Sequence, residues 1–183
     1  LRSGLNTLAL QMRGLMKPIV VAVNGVAAGA GTSLALMADY RIASDKASFV
    51  FAAFVNIGLV PDGGATYLLQ QVVGPAAALE LALFADAKNR VDSQKALELG
   101  IVNRVVASDT LQDEALSIAI KLATMPTKAI GLTKKAIYRA AERALDDALD
   151  YEAQLQGITF QTHDFREGVA AFLEKRDPVF KGE

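Results

Sequence analysis

Cysteine is absent from this chain, tryptophan is absent, and histidine occurs once, at His163. Without thiols there is no disulfide framework, no thiolate metal site and no cysteine nucleophile, and one imidazole cannot form a histidine cluster. Neither sign of charge dominates: 19 Lys and Arg face 20 Asp and Glu, interspersed, for a net charge of −1. That balance excludes the basic surface of a nucleic-acid binder and the acidic tail of a charge-driven partner. Apolar residues make up 52% of the chain, yet polar or charged residues break each long apolar run before it reaches the ~20 residues of a membrane span; the uncharged stretch Pro18–Ala38 is broken at Asn24-Gly25 and Thr32-Ser33. The opening residues, LRSGLNTLALQMRGLMKP, have neither an initiator Met nor a signal-peptide pattern and resemble the middle of a longer segment. The expectation is a soluble, cytoplasmic protein with no nucleic-acid or membrane partner, whose chemistry rests on carboxylates and backbone donors.

What is present is organised around Pro18–Thr66. An uninterrupted, β-branched apolar run over Pro18–Asn24 predicts a strand covered on both faces. It breaks at Asn24-Gly25 into a small-residue loop, Val26–Gly31, followed by an apolar, buried helix over Gly31–Asp39. Short strands are expected at Tyr40–Ala43 and Ala47–Phe51, with Asp45-Lys46 turning between them. Residues 58–64 form a turn cluster, followed by helices at Ala65–Val73 and Ala76–Phe84 with Gly74-Pro75 between. A short helix over Ser93–Leu99 and a strand over Ile101–Val106 end the alternation, which is α/β in class. Beyond Leu111 the pattern is helical: Leu111–Thr124, Thr127–Leu145, Asp146–Gln161 and Phe165–Lys175. A helix closing at Lys17-Pro18 precedes the first strand. The division expected is an α/β core over 1–107 and a helical oligomerisation region over 108–183.

Several residues could carry chemistry. With Gly29, Ala30 and Gly31 almost devoid of side chain, a ligand can approach the main chain, and the first amides of the following helix lack intrahelical acceptors. Such donors suit a developing oxyanion; the same glycines also suit a tight strand-to-helix turn that serves only packing. Asp62 lies in Pro-Asp-Gly-Gly behind Phe51, Phe54, Val55, Ile57, Leu59 and Val60. An apolar wall would disfavour its charged form and make it a proton carrier, whereas an ordinary helix N-cap would hold it ionised. Ser33 falls one residue short of a Gly-x-Ser-x-Gly elbow because Ala35 replaces the last glycine, so a serine hydrolase pairing Ser33 with His163 and an acid lacks its motif. Lys134, Lys135, Lys175, Arg176 and Lys181 could meet a phosphate, although charged helical faces are usually solvated. Neither phosphate-binding glycine motif, Gly-x-x-x-x-Gly-Lys nor Gly-x-Gly-x-x-Gly after a strand, occurs.

Five blocks in order resemble the enoyl-CoA hydratase/isomerase, or crotonase, superfamily: KPIVVAVNGVAAGAG from Lys17, LALMADYRIA from Leu34, IGLVPDGGAT from Ile57, ALELGIVN from Ala96 and REGVAAFLEKR from Arg166. The resemblance implies a spiral of ββα units, N-terminally incomplete here, with a helical C-terminal trimerisation region. It also implies an acyl-CoA thioester substrate, with coenzyme A part of that substrate and no prosthetic group, and a homotrimer or a hexamer of paired trimers. By position, the second backbone donor of the family's oxyanion hole falls on Ala30, between Gly29 and Gly31. The first belongs to an Ala-Gly-x-Asp-like segment upstream of the Lys-Pro strand, for which this sequence has no counterpart. The two hydratase glutamates fall on Ser33 and Phe54, and a phenylalanine can neither orient water nor move its proton, so ordinary hydratase activity is not expected. Asp62 matches the acid of family isomerases, and its context is most similar to the ring-opening epoxyphenylacetyl-CoA isomerases.

The function expected is therefore an acyl-CoA isomerase in which Asp62 moves a proton beside a thioester enolate held at Ala30, with Val26, Gly29, Gly31, Phe54 and Leu59 around the substrate. The alternatives are a non-catalytic acyl-CoA-binding member, or a hydratase or thioester hydrolase of the same superfamily.

Overall fold

The computed structural model describes residues 2–141 and 143–183. Leu1 and Glu142, the latter within the helix expected over Thr127–Leu145, lie outside the described residues. The chain packs into two compact units, Leu1–Arg13 with Ile19–Ile118, and Gly14–Pro18 with Ala119–Glu183.

The first unit alternates strands and helices: α1 (Leu5–Gly14), β1 (Val20–Val23), β2 (Val26–Ala28), α2 (Ala30–Met37), β3 (Tyr40–Ser44), β4 (Ser48–Val50), α3 (Ala65–Val73), α4 (Pro75–Phe84), β5 (Val91–Asp92), α5 (Ser93–Glu98) and β6 (Arg104–Val106). β1, β3 and β6 form one parallel sheet, with Val21 opposite Arg41 and Ala43 opposite Val105. β2, β4 and β5 form a second sheet, in which β2 and β4 run parallel and β5 antiparallel. β1 and β2, and then β3 and β4, go to alternate sheets before the chain passes into helix, which is the repeat of a ββα spiral, whereas β5 returns to pair with β4. The aspartate Asp39 closes one turn of it, since its Oδ2 accepts the amide of Ile19 at 2.7 Å and ties the entry of β1 to the entry of β3.

The core lies between these layers. α2 is apolar on nearly every side and buries Thr32, Ser33, Ala35, Leu36 and Met37, as a helix enclosed by its own fold should. It packs with Phe49, Phe51, Leu68, Leu69, Ile101 and Val102; a side chain of this size contributes about 1.5–3 kcal/mol when fully buried. On the other side of β3, Ile42 meets Leu111 and Ala115 of α6 (Leu111–Ala123), which stand four apart on one face of that helix.

Three local expectations are corrected. Residues 26–28, expected as loop, form β2, because Ala27 turns inward while Val26 and Ala28 face out and the partner strand β4 is remote in sequence. Phe51, expected to end a strand, opens a 3-10 turn over Phe51–Ala53, followed by a second over Val55–Ile57. Ile101 and Val102 are core residues but precede the strand, which begins only at Arg104.

The second unit is helical. α7 (Thr127–Ala140) and α8 (Leu145–Thr159) pair, with the Arg139 guanidinium 4.1 Å from the centre of the Tyr151 ring. Lys134, expected on a solvated face, is buried and donates to the Lys17 carbonyl at 3.3 Å. Gly131 lies directly against the Met16 carbonyl. α9 (His163–Glu174) is capped by Thr162, whose hydroxyl accepts the Phe165 amide. Its acids hold the following segment: Asp164 accepts the amides of Lys181 at 2.7 Å and Gly182 at 2.8 Å, and Glu167 accepts Val179 N–H and pairs with both terminal nitrogens of Arg176.

Two outcomes follow from this unit. Gly131→Ala drives a methyl group into rigid main chain and is expected to lower stability by about 1–3 kcal/mol, measured by denaturant unfolding; an unchanged midpoint would show that α7 moves aside at no cost. Glu167 is held down to about 2 from an ordinary 4.5, chiefly by Arg176 and next by the Val179 amide. A depressed carboxyl contributes its stability in full above the unfolded value and loses it as pH falls through the folded one. Protection of the Val179 amide, corrected for intrinsic exchange, is therefore expected to fall as pH drops from 4.5 towards about 2. Constant protection across that window would mean that this ion pair does not hold the segment.

Candidate active site

The site starts at the junction of β2 and α2. Gly29 has φ +51 and ψ −120, a conformation open to glycine and avoided by residues with a Cβ. This sharp reversal lets α2 begin at Ala30 directly after the strand. The Gly29 carbonyl takes the Thr32 amide at 2.9 Å, the Ser33 amide at 3.3 Å and the Thr32 hydroxyl at 2.6 Å. No side chain caps the helix. Among the described residues, the amides of Ala30 and Gly31 donate to no backbone carbonyl, so the positive end of α2 is left with free donors.

The second component is the turn Pro61–Gly64, where Gly63 has φ +61 and Gly64 φ +81. Gly64, not Asp62, is the N-cap of α3, and no side chain caps that helix either. The Asp62 main-chain carbonyl accepts the Ala65 amide at 3.1 Å. Its carboxylate is only partly exposed, and Oδ1 is buried with no hydrogen-bond partner among the described residues. The alternative role of Asp62 as a side-chain cap is therefore not what the fold uses.

One hydroxyl joins the two components. Ser33, fully buried in the first turn of α2, donates to the Asp62 carbonyl at 2.9 Å, with the Gly29 carbonyl at 3.4 Å. The room around this junction is small: a methyl group on Gly63 would stand 3.1 Å from the Ser33 Cβ and closer still to the Leu5 side chain.

Beside the junction is a cavity of about 180 Å³ bounded by α2, α3, α4 and the 3-10 turn at Phe51–Ala53. Its walls include Thr32, Phe51, Phe54, Pro61, Leu69 and Ala78, and among the described residues no acid lines it. Phe54 is buried, and its ring lies against Gly29 as well as in the cavity wall.

The structure thus brings together Gly29, Ala30, Gly31, Phe54 and Asp62. Val26 and Leu59, both expected to line the substrate, are more than half exposed and lie outside this cavity's lining. Thr32, Thr66 and Gln70, the polar residues of the lining, are not among the site residues expected; Thr66 and Gln70 share one face of α3 at i, i+4 spacing, and the tertiary packing brings Thr32 of α2 to the same cavity. His163 lies at the start of α9 in the second unit, beside Asp164.

A family model for enoyl-CoA hydratase/isomerase matches residues 1–183. The chain belongs to the enoyl-CoA hydratase/isomerase family. Within that family it is 46% identical over 178 residues to the 1,2-epoxyphenylacetyl-CoA isomerase of Escherichia coli, covering 97% of this chain and 66% of that protein. It is 43% identical to the probable enoyl-CoA hydratase of Rhodobacter capsulatus, over 90% of this chain and 63% of that protein. The crystal structure of an enoyl-CoA hydratase from a Polaromonas species superposes with a TM-score of 0.91 at 34% identity, covering 98% of this chain and 68% of that one. The chain spans just under two thirds of the length of the curated relatives it matches. The crotonase-like fold expected from the five sequence blocks is the fold observed.

Gly63→Ala imposes a left-handed conformation on a residue with a Cβ and crowds Ser33 and Leu5. It is expected to cost about 1–3 kcal/mol, measured by denaturant unfolding; native-like stability would show that the Asp62 turn has freedom it lacks in the structure.

Proposed function

We propose that the protein is an acyl-CoA isomerase that moves a proton along its substrate through a thioester enolate, with Asp62 as the single acid/base. The observation that carries this reading is the pairing of a buried, unpartnered carboxylate oxygen on Asp62 with a helix mouth whose first amides are free, the two linked through Ser33.

In this reading the thioester oxygen sits at the amide of Ala30, where aligned backbone dipoles lower the cost of the enolate without reorganising. The Asp62 carboxylate removes a proton from carbon next to the conjugated system, and the electron pair of that C–H bond passes into the enolate. The carboxylic acid so formed returns the proton at the other end, restoring the thioester and shifting the double bond. One carboxylate serves for both transfers. Its buried Oδ1 supports the role, because an oxygen with no partner keeps its lone pairs available for the proton. The acid-free cavity beside it is suited to an apolar acyl group, with coenzyme A entering as part of the substrate. The helices of the second unit expose Phe172 and Leu173, which supports a homotrimer through that region.

The relatives named as hydratases favour a second reading, water addition to the double bond. Against it, the positions where the family resemblance places the two hydratase glutamates hold Phe54, a cavity wall, and Ser33, whose hydroxyl is committed to a carbonyl.

Asp62→Asn in the full-length protein is expected to lower double-bond migration of an enoyl-CoA by about 10²–10⁴-fold while binding of the thioester is kept. Unchanged turnover removes Asp62 from the reaction. Efficient hydration of a 2-enoyl-CoA by the unmodified protein would favour the hydratase reading.

A further inference from the structure

Ser33 is placed as neither a nucleophile nor an ordinary helix-interior serine. Its side chain is wholly enclosed, and a hydroxyl has one proton to give. Of its two acceptors, the Gly29 carbonyl is at 3.4 Å and already takes two amides and the Thr32 hydroxyl, whereas the Asp62 carbonyl is at 2.9 Å and has only the Ala65 amide besides. The proton therefore belongs to the bond that crosses from α2 to the Asp62 turn. The packing has the same direction, since Gly63 has no room for a methyl group because the Ser33 Cβ and Leu5 stand over it.

We propose that Ser33 is a positioning residue, whose hydroxyl pins the main chain of Asp62 to the first turn of α2 and so fixes where the Asp62 carboxylate stands relative to the amide of Ala30. This rests on the function proposed above and adds a residue that touches neither the substrate nor the moving proton. The bond reaches the Asp62 carbonyl rather than its carboxylate, so Oδ1 stays unpartnered while the residue bearing it is held. The Asp62 carbonyl is then restrained from two sides, by Ala65 at the head of α3 and by Ser33 from α2. Losing the second restraint leaves the turn hinged on α3 alone, free to shift against the helix mouth. A displacement of about 1 Å between reacting groups is enough to cost about a hundredfold in rate.

The test is a double-mutant cycle in the full-length protein with trans-3-hexenoyl-CoA as probe, following formation of the conjugated thioester. Ser33→Ala is expected to lower kcat by between about tenfold and a hundredfold, with KM within about twofold of the unmodified value. In the Asp62→Asn background the same substitution is expected to have no further effect on kcat, because it acts through the group already removed. Ser33→Cys, near in size and a weaker donor, is the second variant should Ser33→Ala fail to fold, and the same loss and the same non-additivity are expected of it. Equal losses in both backgrounds, or a Ser33 variant with unchanged kcat while Asp62→Asn is impaired, overturns the positioning role and leaves the function standing. Unchanged turnover of Asp62→Asn instead overturns the function itself, and the role of Ser33 with it.

Discussion

The left-handed turn at Gly29 is the constraint from which the site follows. β2 must stop after Ala28 and α2 must start at Ala30, and only a residue without a Cβ makes that reversal cheaply. The turn folds the Gly29 carbonyl back over the first helical turn, where it satisfies the Thr32 and Ser33 amides. What it cannot satisfy are the two amides before them, so free donors at the mouth of α2 are a geometric consequence of how the helix starts. Burial of Ala35, Leu36 and Met37 behind that mouth anchors it in the core.

The Asp62 turn repeats this logic on a second helix. A side-chain cap at α3 would have bonded the carboxylate to backbone amides and removed it from chemistry. Gly63 and Gly64 in left-handed conformations instead let the Asp62 carbonyl meet Ala65, which separates the structural duty of the residue from that of its side chain. A buried oxygen without a partner costs roughly 1–3 kcal/mol, and the rigid surroundings of Leu5, Ser33 and α3 hold it in place. Two helices begun without side-chain caps, joined by one serine hydroxyl, place unsatisfied donors and an unsatisfied acceptor in one region. That combination distinguishes this junction from a loop shaped for packing alone.

Much of this was legible along the chain. The strand at Val20–Val23, the apolar helix after the glycines and the helices around Gly74-Pro75 lie where periodicity and breakers place them, each within a few residues. Of the apolar wall expected before Asp62, Phe51 and Phe54 are buried, whereas Val55, Ile57, Leu59 and Val60 are exposed. Less legible were β2 and β5, three and two residues long, because strands so short are defined by partners far away in sequence and not by any alternation of their own. Leu59 and Val26 were misleading for a related reason: an apolar side chain near a site reads the same whether it faces a cavity or solvent. The polar wall residues Thr66 and Gln70 stand four apart on α3 and so share a face, but such a pair reads the same whether that face meets a cavity or solvent.

By itself the sequence determined the family, through five ordered blocks, the chemistry available, through the lack of thiols and of a histidine cluster, and the residues able to adopt left-handed turns at Gly29, Gly63 and Gly64. These are local properties, set by composition and by the stereochemistry of single residues. The tertiary structure alone decided that the Asp62 carboxylate caps nothing, that the Ser33 hydroxyl spans 29 positions of chain to reach Asp62, and that Phe54 stands against Gly29 and in a cavity wall at once. Those facts depend on which groups meet across the fold, and hydrogen bonding and burial at such distances leave no trace in the order of residues on either side.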